Sequence, residues 1–238
     1  MKSPWKLRSV MLAMTTLAVA AASAGDLTIV SKVTPTKGAP YTATQYITPE
    51  RMRMSNGDND TIVDLDAGKL VQIDHKKKTY YETNFAEMQQ HFAELEEMLA
   101  SNPMMEKMMG KVSDVRVDKT TTTRDIAGFS CTDYLITLGK SFHETVCVTP
   151  DLKMPAEYYD ASKMLYAMMG PMATRFETLL DEMKKIDGFP VRTDLEMNIM
   201  GMDASSLSEV TEVRDGSIPA DAFAIPSNYK QKKSQMNK

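Results

Sequence analysis

TIVDLDAGKLVQIDHKKKTYYET, Thr61 to Thr83, carries the clearest two-residue periodicity in the chain. Residues 61–66, 69–75 and 78–83 are short runs in which apolar, β-branched or aromatic side chains alternate with polar ones. Asp66-Ala67-Gly68 and His75-Lys76-Lys77 punctuate them as turns, so the three runs form an antiparallel meander.

The same texture extends upstream. Residues 26–33, 41–48 and 51–55 are strand-like, and the turn signals at 35–40 and Ser55-Asn56-Gly57-Asp58 separate them, giving a sheet of about six strands. Downstream the period changes. Phe85, Met88, Phe92, Leu95 and Leu99 recur every three or four residues, with Glu87, Glu94, Glu96 and Glu97 turned elsewhere, so an amphipathic helix begins after an Asn84 cap. It is interrupted at Ser101-Asn102-Pro103, continues through Met104, Met105, Met108 and Met109, and stops at Gly110.

Residues 111–118, 120–126, 129–138 and 142–149 return to strand character, with Gly128 in the turn at 125–129. A second helical region runs over 156–186. Its apolar side carries Tyr159, Met164, Leu165, Met168, Met172, Phe176, Leu179, Met183 and Ile186, and Gly170-Pro171 breaks or kinks it. Strands at 191–200 and 206–214 follow, and the proline-containing segment 218–229 is predicted to lie over the sheet as a clasp. Strands first, helices inserted between strands and no βαβ alternation specify an α+β fold. The expected architecture is a long, curved antiparallel sheet with two Met-rich amphipathic helical segments gathered on one face.

Residues 1–24 have the form of a cleavable signal peptide: a cationic start with Lys2, Lys6 and Arg8, an apolar run at 10–22, and Ala22-Ser23-Ala24 before the cut. The run is too short for a stop-transfer helix, and the absence of cysteine just after the cut excludes lipid attachment there. The expected mature protein is a soluble single domain at 25–229 with a basic disordered tail at 230–238, located in the periplasm, with no transmembrane segment. Cleavage moves the formal charge from -4 to about -7, so nucleic acid is a poor partner.

Two cysteines in an exported chain favour a disulfide over a metal site. If 138–140 forms the loop between the flanking strands, Cys131 and Cys147 stand directly opposite each other, within bridging reach. Two unpaired thiols are the alternative. His75, His91 and His143 are far apart and lack partners at ligand spacing, and there is no nucleophile elbow, phosphate loop or dinucleotide fingerprint. The expectation is a non-enzyme with no catalytic residues, no metal site and no cofactor. Methionine is the excess: 18 of 21 follow Ala24. Flexible thioethers suit an adaptable apolar lining, and Met98, Met104, Met105, Met108, Met164, Met168, Met172 and Phe176 are the candidate ligand-lining residues. Thioethers also select Cu(I), and they serve equally as plain core packing.

Several phrases point to a family: Arg51-Met52-Arg53-Met54, Thr61-Ile62-Val63-Asp64-Leu65, residues 74–82, and Ile218-Pro219 with Phe223, Pro226 and Tyr229. Together they resemble an uncharacterised family of exported bacterial domains similar to the LolA/LolB-type lipoprotein carriers. The resemblance implies an incomplete barrel, an open half-barrel, with helices plugging its concave side and a hydrophobic small molecule, lipid or lipoprotein acyl chain between them. A Met-rich Cu(I)-binding protein and an envelope assembly factor are the alternatives.

Overall fold

The computed structural model describes residues 26–88, 90, 115–138, 142–153, 156–167, 173–199 and 202–233. The expected signal peptide and its cut, most of the expected first helix with Met98, Met104, Met105 and Met108, and the expected break between Met168 and Met172 lie outside the described residues.

The meander read from Thr61 to Thr83 is the middle of a six-strand run. It comprises β1 (Leu27–Pro35), β2 (Tyr41–Ile47), β3 (Arg51–Ser55), β4 (Asn59–Asp64), β5 (Lys69–Asp74) and β6 (Thr79–Asn84), each paired antiparallel with the next. A second run comprises β7 (Val115–Ile126), β8 (Phe129–Leu138), β9 (Phe142–Thr149), β10 (Phe189–Ile199) and β11 (Met202–Asp215). Helices α1 (Ala156–Ala167) and α2 (Ala173–Met183) are inserted between β9 and β10. β11 returns to pair with β1, which joins the two runs into one twelve-stranded sheet, ordered β12-β6-β5-β4-β3-β2-β1-β11-β10-β9-β8-β7. The sheet is open, ending on β7 at one side and on β12 (Lys230–Lys232) at the other.

Local chemistry agrees with these elements at several points. Ala127 and Gly128 both have positive φ, 51° and 85°, the conformation of a two-residue hairpin turn that follows the twist of its strands. Asn84 Oδ1 accepts the Ala86 N–H at 2.8 Å, capping the helix that starts at Phe85 as the sequence indicated. Gly188 admits no side chain: a Cβ there would lie 2.1 Å from the Thr149 carbonyl oxygen, and its φ is +133°.

Three expectations are corrected. Residues 111–118 and 120–126 are not two strands; Val115–Ile126 is one strand whose register against β8 slips between Lys119 and Thr123. The hairpin closes on Leu138 opposite Phe142, so Cys147 faces Asp133 instead of Cys131. That slip of two residues preserves which face each side chain takes, and the bridge forms across the diagonal with the Cα atoms 5.3 Å apart. Finally, Lys230–Lys232 is not disordered tail; it pairs in parallel with Thr79–Tyr81 and contributes the one parallel pair among the described strands.

The largest core cluster spans both runs. Leu27, Ile29, Ile47, Met52, Val63 and Leu70 from the first half meet Cys131, Cys147, Phe189, Val191 and Val210 from the second, and Ala161 of α1 closes on them. A second cluster, Ile136, Phe142, Val146 and Val148, is covered by Leu179 of α2.

Candidate functional site

Directly opposed residues in an antiparallel pair point to the same face. The pairing therefore defines a buried row, Leu27, Ile47, Met52, Val63 and Leu70, across β1 to β5. Helix α1 lies over β3 and β4 and packs Ala161, Met164 and Leu165 against this cluster. The next row on the same face is Ile29, Gln45, Met54 and Thr61, followed by Ser31 with Ala43 and Val33 with Tyr41.

Among the described residues the cover ends here. Tyr41 and Met54 are 40% and 39% exposed, and with Leu135 they are the large hydrophobic side chains most open to solvent among the described residues. Tyr41 and Met54 line a groove of about 300 Å³ together with Ser31, Val33, Ala43, Thr44, Gln45, Ser55, Asn56, Asn59, Thr61 and Ser208. None of these residues is charged, because the charged side chains of the same strands, Lys32, Arg53 and Asp60, alternate to the other face. At the groove the Gln45 side-chain oxygen is buried without a hydrogen-bond partner among the described residues.

Farther along the same face, Glu144 of β9 stands between Ile136 of β8 and Leu195 of β10, within the cluster covered by α2. Burial pushes its carboxyl up to about 7. Tyr158 of α1 is pushed up to about 12, first by its own burial, with a small contribution from Glu144.

The opposite face of β3 to β6 is occupied by the C-terminal segment. Asp60 is fully buried there, and its Oδ2 accepts from Arg53 Nη2 at 2.5 Å and His75 Nε2 at 2.6 Å. A carboxylate only accepts, so Nε2 is the donor to Asp60, and on the other side of the ring Nδ1 and the Tyr229 hydroxyl are hydrogen-bonded at 2.8 Å. Arg53 Nη1 also donates to the Ala222 carbonyl, and the Arg51 guanidinium sits 5.0 Å from the Phe223 ring centroid. Phe223, Ile225 and Tyr229 pack on Ile62, Val71 and Ile73. The clasp predicted for 218–229 is thus present, and Arg53, His75, Phe223 and Tyr229, scattered through the phrases that carried the family resemblance, form one fastening. The Asp60, His75 and Tyr229 chain is turned into this fastening, where it holds the segment down.

Residues 32–229 match the family model described as Domain of unknown function (DUF4412). The chain belongs to that family. No curated protein matches it in sequence. Among solved structures, this DUF4412 domain is similar to PNGF-II at 11% identity and TM-score 0.42, over 88% of this chain and 32% of that one, so it spans about a third of PNGF-II. It is similar to an uncharacterized conserved protein from Thermus thermophilus at 7% identity and TM-score 0.47, over 89% and 91% of the two chains. A LolA superfamily protein from Nitrosomonas europaea matches at 6% identity and TM-score 0.30, over 84% and 89%. The family membership agrees with the resemblance to an uncharacterised domain family drawn from the strand phrases. Identities of this size say nothing of a site.

Of the residues expected to line a ligand, Met164 packs against the core cluster beside the groove's buried row. Phe176 lies on α2, its side chain outside the described residues, as are Met98, Met104, Met105, Met108, Met168 and Met172. The groove residues Val33, Tyr41, Ala43, Gln45 and Met54 were not singled out from the sequence. The Arg51 to Met54 alternation does mark Met54 as facing the core side, but where the helical cover stops is not encoded in that alternation.

Proposed function

We propose that this DUF4412 domain is an exported, non-enzymatic carrier that holds a lipid, or the acyl chain of an acylated partner, on the core face of its sheet beside the helical cover. The observation that carries the reading is the uncovered part of that face, where Tyr41 and Met54 remain exposed beside an otherwise buried apolar row. Apolar surface of this kind, continuous with a core and set among uncharged polar residues, is what a hydrophobic ligand covers. Export to the periplasm is supported by the signal-like residues 1–24 and by the Cys131 to Cys147 bridge, which persists in an oxidising compartment. Among the described residues no helix is long and apolar enough to cross a membrane.

The test is native mass spectrometry of protein purified from the exported fraction, with displacement of a fluorescent fatty-acid probe by added lipid. Co-purifying lipid and saturable displacement are expected, and Met54→Arg, which puts a charge in the groove, should abolish both. A clean unliganded mass with no displacement would refute the reading. Stoichiometric Cu(I) uptake in that case would favour the Met-rich copper alternative, and recovery of a protein without lipid would favour an assembly factor.

A further inference from the structure

We infer that the groove selects a single-chain, uncharged amphiphile whose head donates a hydrogen bond, a monoacylglycerol being the simplest example. The inference rests on the carrier reading and names its ligand class.

Three observations carry it. The first is the lack of charge in the lining. A carboxylate, phosphate or ammonium head entering here would lose water and meet no opposite charge, and an unpaired desolvated ion is strongly disfavoured. Lys32, Arg53 and Asp60, which could have supplied one, face away, and Asp60 and Arg53 are already paired. The second is Gln45. Register holds it between Ile29 and Met54, and its side-chain oxygen has no donor among the described residues, so a ligand hydroxyl or amide N–H that reaches it satisfies an acceptor left unpaired there. The third is size. A volume of about 300 Å³ is at the bottom of the range for ligand sites, enough for one chain alongside Tyr41, Val33 and Met54 and too little for two.

The experiment is isothermal titration of delipidated mature protein with three ligands sharing one acyl chain: monolaurin, laurate and lauroyl-lysophosphatidylcholine, each below its micelle concentration. Monolaurin should bind about tenfold or more tighter than either charged analogue, which corresponds to the loss of a single well-placed polar contact or the desolvation of one charge. Gln45→Met, which keeps the length and removes the acceptor, should bring monolaurin down by about tenfold and leave laurate unchanged. The series on the unaltered protein decides the question even if that variant folds poorly. Laurate or the lysolipid binding as tightly as monolaurin overturns the assignment of an uncharged head while the carrier reading stands. No binding of any of the three, on protein that also fails to displace the fluorescent probe, overturns the carrier reading itself.

Discussion

Glu144→Gln tests whether the interior of the β8 to β10 face is as dry as its packing implies. In the folded protein the Glu144 carboxyl, flanked by Ile136 and Leu195 and covered by the α2 cluster, titrates at about 7 in place of an ordinary 4.5, with burial as the cause. A folded-state value above the unfolded one means that folding favours the protonated acid. Its contribution is complete below about 4.5, declines as pH rises to about 7, and is level beyond. At 1.36 kcal/mol per pH unit the full interval is worth ~3 kcal/mol. Glu144 is only partly buried, so water screens the ionised form and we expect about 1–2 kcal/mol. Glutamine keeps the shape and cannot ionise. Urea denaturation of the two proteins should give matching stabilities near pH 4.5 and a Gln variant more stable by about 1–2 kcal/mol at about pH 8. Curves that run parallel across this range, or a Gln variant that is the weaker one at the higher pH, would refute the reasoning, because either requires a carboxylate that is solvated or paired in the fold.

Cys131→Ser opens the bridge between residues 16 apart in sequence and should cost about 3 kcal/mol; denatured wild type should take up no maleimide without reductant, and uptake of two equivalents would disprove the bond. Gly188→Ala drives a Cβ against the Thr149 carbonyl at a φ of +133°, so a loss of about 3 kcal/mol is expected, and an unchanged melting temperature would contradict the close approach of β9 and the start of β10. Arg53→Met leaves buried Asp60 with His75 alone and frees the Ala222 carbonyl; about 3 kcal/mol should be lost and proteolysis should begin near residue 218, whereas a strap that stays protected would show that the ion pair does not hold it.

Which residues alternate, where turns fall and where a helix starts are properties of neighbouring residues, and they were legible. Thr61 to Thr83 specified its three strands, Asn84 its cap, Gly128 its hairpin, and the prolines of 218–229 a segment that lies on the sheet without continuing it. The cysteines were legible as a pair because an even count of two behind a signal-like start argues for a bridge whatever the register. Their register was not, since a slip of two residues leaves every side chain on its face and so leaves the hydrophobic pattern unchanged. Val115–Ile126 was divided at Lys119 for a related reason: the register irregularity begins there, and only pairing with β8 carries the strand through it.

The groove and the fastening belong to the tertiary structure. Nothing within Arg51 to Ser55 distinguishes Met52, buried under α1, from Met54, exposed two residues on, because the difference lies in how far a helix from residues 156–167 reaches across the sheet. Asp60 likewise reads as an ordinary turn-side acid until the fold brings Arg53, His75 and a tyrosine more than 150 residues away onto one face. The sequence by itself determined the elements and the side each residue presents, since periodicity is local. Only the packed sheet decided which apolar positions stay uncovered and which charges meet, because both depend on the chain returning β11 to β1 and the C-terminus to β6.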